Sequence, residues 1–476
     1  MRLFPPEPVI GPRDGFNGHD IFGYAKFGEQ LKDFYAKFDD PLVGVLDAPW
    51  GSGKSTFIKM WCGHMRNAGY PVIEFDAFKN DYTNDAFMAL VGEVFAKAEE
   101  YCNAVKESEE SVLPEELKSR LVEKGNKFYQ AARKRGVNFL KITGNGIAKK
   151  LAGKVIGDEE FAQLKEEFGE FSAELIKDGV ENGGKEIGTA ISDLIDSKFA
   201  IRSEEKRAFE DFSEQLSEIA KQLSMAALRL GSVSVDSLDP NDTKRPLIFV
   251  IDELDRCKPT FALELLEKIK HFFSVPNVHF LLVTNLDQLS KVVKCEYGSE
   301  IDGATYLQKF YDVVFSLPNG NQAYQKEFYE TFCNYVIDTC DSTVPGNWFT
   351  PVVLSKQLSL RSIIKAHAYS AGFIGRGHGV ALSSKLVYIG LGFMKVISPE
   401  VFAKALEGSL ELVDIHSFFD SEERSIDRMK SIFTYLIGEL PVEHELRQAL
   451  DNDFFYYDCP SVEMFAQNMN QLRITA

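Results

Sequence analysis

Short apolar runs recur along the chain. They are Val43–Leu46, "PVIEFDAF" (Pro71–Phe78), "PLIFVID" (Pro246–Asp252), "VHFLLVTN" (Val278–Asn285) and "DVVFSLP" (Asp312–Pro318). Runs this short and this apolar read as strands buried on both faces. Around them the apolar positions change to helical spacing, in "YAKFGEQLKDFYAKF", from about Ser55 onward, and again through Glu100. Strands alternating with helices predict a parallel sheet covered on both sides, an α/β layout. After residue 320 the pattern is helical throughout, in "QAYQKEFYETFCNYVIDTC", "SLRSIIKAHAYSAGF", "SKLVYIGLGFMKVI" and "IDRMKSIFTYLIGEL".

Between Lys97 and Arg245 the pattern differs. A charge-rich helical stretch gives way to the glycine-interrupted "ITGNGIAKKLAGKVIGDEEF". Further on, Phe209, Phe212, Leu216, Ile219, Leu223, Ala226 and Leu230 alternate three and four apart, a heptad stripe. Packing against its own domain is favoured over an intermolecular coiled coil. "GIAKKLAGKVIG" could lie on a membrane surface as an amphipathic helix, but an ordinary soluble insertion is the expectation.

Composition narrows the setting. The chain has 476 residues, room for several cores, and a formal net charge of −18, which disfavours broad binding to nucleic acid or anionic lipid. Its seven cysteines are scattered without metal-ligand spacing and suit a reducing cytoplasm. The proline-broken start has no apolar signal region, and no uncharged apolar run reaches the ~18–20 residues that span a bilayer. A cytoplasmic location without a transmembrane segment is expected.

The first strand runs into "DAPWGSGKST" (Asp47–Thr56) and then a helix. Small residues in a strand-to-helix loop let successive backbone N–H groups converge on an anion, aided by the helix dipole. Pro49, Trp50, Gly51, Ser52, Gly53, Lys54, Ser55 and Thr56 are therefore the candidate nucleotide contacts. Lys54 is placed to reach the β- and γ-phosphates of ATP, and Ser55 to ligate Mg2+. Ala48 stands where the motif usually has its first glycine, and Trp50 reads equally as core packing or as a cover over the loop.

The third strand ends in "IDELDRC". Asp252 is the candidate Mg2+ anchor and Glu253 the candidate general base. Asp255 is expected to orient Glu253's water or Arg256, or to form a structural ion pair. At the end of the fourth strand Asn285 is the preferred γ-phosphate sensor, with Thr284 second. Arg361, at the start of "LRSIIKAH", is a candidate to lean over the nucleotide, against a surface salt bridge.

With these residues placed, the sequence resembles the KAP family of P-loop NTPases. The resemblance rests on "PWGSGKSTFIKM", "VIEFDAFKND", "IFVIDELDRCKP", "FLLVTNLDQL", "YLQKFYDVVFSLP" and "LSLRSIIKAH". It implies a three-layer αβα sandwich around a parallel sheet of order 5-1-4-3-2, with an extra strand between the two nucleotide motifs. It implies a helical insertion and a helical C-terminal domain. The corresponding division is 1–100 for the N-terminal part of the core, 101–240 for the insertion, 241–320 for the rest of the core and 321–476 for a lid or assembly domain. In many members the insertion carries transmembrane helices; here charged residues interrupt its apolar runs. Family analogy places Lys309 near nucleotide or a neighbouring subunit, and links bacterial members to phage exclusion and defence.

The reading that follows is a Mg2+-dependent ATPase acting as a regulatory or sensor switch, with an effector partner or homo-oligomeric self-assembly as its output. One alternative is a nucleic-acid-stimulated motor using basic patches such as "AARKR" (Ala131–Arg135), possible but not favoured. Another is a non-hydrolysing, nucleotide-dependent scaffold. Arg256, Arg361 and Arg376 are unranked donors for any arginine supplied across subunits.

Overall fold

A computed structural model describes residues 2–82, 86–104, 113–143, 210–231, 245–272, 274–318, 322–374, 381–421, 423–441, 443–455, 457, 460–472 and 474. The five apolar runs form β1 (Leu42–Asp47), β2 (Val72–Asp76), β3 (Leu247–Asp252), β4 (Val278–Thr284) and β5 (Val313–Ser316). All neighbours pair parallel, in the order β2-β3-β4-β1-β5, which is the expected 5-1-4-3-2 order read from the other edge. β4 therefore lies between β1 and β3, and the C-terminal ends of all three point the same way. "PVIEFDAF" is shorter as a strand than its pattern suggests, because the Asp76 side chain accepts from Lys79 N at 2.9 Å and caps a helical turn at Ala77–Asn80.

Alternate strand residues face opposite layers. Val45, Phe75, Phe249, Ile251, Phe280 and Leu282 pack with the helices Ala86–Cys102, Pro259–Phe272 and Leu286–Tyr297. Leu46, Val72, Ile248, Val250, Leu281 and Val283 face the helices Ala25–Tyr35 and Lys54–Asn67. Central β4 is buried along its whole length, whereas edge strand β5 alternates between half-buried and exposed.

The stripe that begins at Phe209 is a helix over residues 210–230. Phe212, Leu216, Ile219, Leu223 and Ala226 are buried in the first layer, so the stripe packs on its own domain. Phe209 itself and "GIAKKLAGKVIG" lie outside the described residues. Among the described residues no helix is long and apolar enough to cross a membrane. A further core belongs to the C-terminal helices, built around Phe349, Ile363, Leu386, Phe393 and Phe433.

Among the described residues, several contacts join this helical core to the sheet region and the segment before it. Leu360 N donates to Gly51 O at 3.0 Å, Arg2 N donates to Cys340 O at 2.7 Å, and Phe22 stacks on Phe328 with ring centroids 4.3 Å apart.

Candidate nucleotide site

β1 delivers its chain directly into the glycine loop. Ala48 N donates to Thr284 O at 3.3 Å, so Ala48 extends the pairing of β1 with β4 instead of starting the turn. Its methyl is 6% exposed and belongs to the core, which gives the departure from glycine a packing reason. Gly51 and Gly53 take φ of 75° and 91°, in the left-handed region where side chains are strained. A Cβ on Gly51 would also stand 3.0 Å from Arg361 Cβ and 3.2 Å from Ser359 Oγ. The start of helix Leu360–Ile374 thus packs tightly against one side of the loop.

Lys54 opens helix Lys54–Asn67 and turns back, donating from Nζ to Ala48 O at 2.7 Å and Pro49 O at 3.3 Å. Burial pulls its ammonium pKa down, against the pull of Asp255 and Asp252. Ser52 Oγ is shielded from solvent and has no hydrogen-bond partner.

Across the cleft, Asp252 ends β3 in register with Asp76 of β2. Burial pushes its carboxyl pKa up, although the Ser55 hydroxyl and the Glu253 N–H, at 2.8 Å, bond to it. Glu253 takes φ 61° and ψ 26°, an uncommon conformation for a side-chain-bearing residue, and so leaves the strand sharply. Its Oε1 lies 2.7 Å from Arg256 Nη1, and burial raises its pKa while Arg256 opposes. The arginine expected beside Asp255 is therefore held by Glu253. Asp255, 8% exposed, accepts instead from Thr284 Oγ1 at 3.1 Å and from the Trp50 indole. Trp50 is 46% exposed and anchored by its nitrogen, so it covers the loop instead of joining the core.

Not every expected residue meets here. Asn285 caps helix Leu286–Tyr297, its side chain accepting from Gln288 N at 3.2 Å, and it does not line the cleft. Thr284, through Asp255, is the residue of β4 that connects to both motifs. Lys309 is turned over Tyr306 and Phe310, with Nζ 3.6 and 4.8 Å from the ring centroids. Arg361 lines the cleft together with Lys54, Ser55, Asp252 and Glu253. Arg376 lies outside the described residues.

The cleft, about 690 Å3, has a wall that the sequence pattern did not reveal. Phe4 to Pro8, His19, Phe22 and Tyr24 of the irregular lead-in face Phe332, Tyr335 and Ile364 of the helical region. Aperiodic chain carries no pattern that announces such a role; only the aromatics Phe16, Phe22 and Tyr24 hint at packing.

A triphosphate and a hard divalent cation fit these residues. The loop glycines hold the backbone in left-handed conformations, Ser52 offers an unsatisfied hydroxyl, and the adjoining Ser55 hydroxyl and Asp252 carboxylate are oxygen donors of the type Mg2+ takes.

A family model agrees with this geometry. The KAP family P-loop domain matches residues 24–342. Among solved structures, the chain is similar to the Walker-type ATPase PABY2304 of Pyrococcus abyssi, at 12% identity over 96% of this chain and 99% of that one. The TM-score of 0.28 is too low for that likeness to carry structural inference. No curated protein sequence matches the chain.

Proposed function

The chain belongs to the KAP family of P-loop NTPases, and from that premise we propose that it is a Mg2+-dependent ATPase working as a regulatory switch. The observation that carries this reading is the convergence of Lys54 with Asp252 and Glu253 on one cleft. Backbone N–H groups of the glycine loop bind the phosphates, and Lys54 leaves the Ala48 and Pro49 carbonyls to meet them. Ser55 and Asp252 would hold the cation, which would supply neutralisation of charge developing on the phosphate oxygens. Glu253, once free of Arg256, takes the proton of the water that attacks the γ-phosphorus as the bond to ADP breaks. Arg361, at the mouth of the same cleft, adds positive charge on the helical side.

Phosphate release and nucleotide binding, measured together on wild type and Glu253→Gln, test this. We expect release to fall by about 10^2–10^4-fold with binding retained. Equal release by the two proteins overturns the catalytic role and leaves the non-hydrolysing scaffold.

The switch reading rests on the C-terminal helices touching the loop itself, through Leu360 N and Gly51 O. Nucleotide state can therefore be passed to a partner or to assembly of several copies. The family resemblance suggests a role in bacterial anti-phage defence, and the scattered cysteines suit a cytoplasmic setting. Light scattering with and without ATP tests self-assembly, and an unchanged mass removes that form of output.

A further inference from the structure

The apolar wall opposite the phosphate loop has a chemistry of its own. Tyr24 lines the cleft and is 4% exposed, yet its hydroxyl has no hydrogen-bond partner. A buried hydroxyl without a partner is destabilising, so the position calls for another reason. Asp20 fixes the backbone there, accepting from Tyr24 N and Ala25 N at 2.8 Å each. The Tyr24 ring stands edge-on to Phe57, 5.7 Å between centroids, and 5.4 Å from Phe22. Phe57 lies three residues beyond Lys54, about 4.5 Å along the helix axis, so Tyr24 sits close beside the phosphate cradle. Phe332, whose ring centroid is 5.8 Å from that of Phe22, lines the same cleft with Tyr335 and Ile364.

We propose that this wall is the nucleobase subsite, in which the aromatic surface made by Phe22, Phe332 and Tyr335 packs on the base and the Tyr24 hydroxyl hydrogen-bonds its edge. The proposal rests on the nucleotide reading above and assigns residues to the half of the ligand that the loop and the acids do not touch. Base recognition then depends on both the lead-in and the C-terminal helices. A bare polyphosphate engages only the loop.

Calorimetric titration of the full-length protein with Mg-ATP and with inorganic tripolyphosphate separates the two halves. Wild type is expected to bind ATP at least about tenfold more tightly than tripolyphosphate. Tyr24→Phe should weaken ATP by about five- to tenfold and leave tripolyphosphate unchanged, the loss associated with one hydrogen bond. Because Tyr24→Phe removes a hydroxyl that has no partner in the ligand-free protein, its unfolding midpoint should not fall. That control distinguishes a binding defect from misfolding. Phe332→Ala should act in the same direction as Tyr24→Phe.

Equal wild-type affinities for the two ligands would overturn the base subsite and leave the phosphate loop standing. Equal weakening of both ligands by Tyr24→Phe would also overturn it, assigning the residue to packing. Binding of neither ligand by wild type would sink the nucleotide reading itself, and this inference with it.

Discussion

Single carboxylates decide most of the chemistry, and Asp252 shows the cost of placing one there. Burial raises its folded-state pKa above the unfolded value. The ionised form is thus the disfavoured one in the fold. Its contribution to stability is full below the ordinary carboxylate range and is lost as pH rises through the raised value. Asp252→Asn removes that loss. Thermal unfolding of the ligand-free variant should have a higher midpoint than wild type at pH 7, with the gap closing in acid, while Mg-dependent nucleotide binding disappears. A lower midpoint at pH 7 would contradict the sign. At this scale the sequence was informative where chemistry is local: the loop glycines, Lys54, Ser55, Asp252 and Glu253 adjoin in short motifs. It was silent where a bond joins distant segments. Asp255 meets Trp50 and Thr284 across 205 and 29 residues of chain. Asn285, attractive as a strand-end amide, also starts a helix, because its extended φ of −102° lets its side chain cap the next turn.

Elements were legible in proportion to their periodicity. Five apolar runs became five strands, each ending within two residues of its expected limits. Central β3 and β4, buried on both faces, leave little choice of residue, whereas edge strand β5 is half-exposed. The stripe ending at Leu230 shows what periodicity leaves open, because heptads serve an intrachain layer as well as a coiled coil. Leu216 is fully buried in that layer. Leu216→Ala should therefore cost about 2–5 kcal/mol in chemical denaturation without altering the oligomeric state, as read by light scattering. A change in oligomer with unchanged stability would restore the coiled coil. Gly51 couples two elements in one residue. Gly51→Ala strains a φ of 75° by roughly 1–2 kcal/mol and sets a Cβ 3.0 Å from Arg361 Cβ. Hydrogen exchange should then quicken at residues 359–364 as well as in the loop. Exchange confined to the loop would mean that helix Leu360–Ile374 is held there by other contacts.

Over the whole molecule, the cleft is shared among parts that otherwise keep separate cores. Phe57 and Tyr24 belong to one core, while Phe332, Leu360 and the adjoining Ile364 belong to that of the C-terminal helices. Among the described residues, Leu360 N to Gly51 O, Arg2 N to Cys340 O and the Phe22–Phe328 stack link these cores. A ligand that fills the cleft touches every wall at once, so its binding free energy is available only when the walls are in register. Mg-ATP at 100 times its Kd adds about 2.7 kcal/mol to the stability of the bound form. That gain should appear on both sides of the cleft. Scanning calorimetry should show one sharper transition at a higher temperature. Hydrogen exchange should slow together in helices Lys54–Asn67, Gln322–Thr339 and Leu360–Ile374. Lys54→Ala, which removes a loop contact but no core residue, should leave the ligand-free scan nearly unchanged and abolish the shift. If Mg-ATP protects only helix Lys54–Asn67, the C-terminal helices do not register the nucleotide, and a switch would have to pass its signal through the sheet alone.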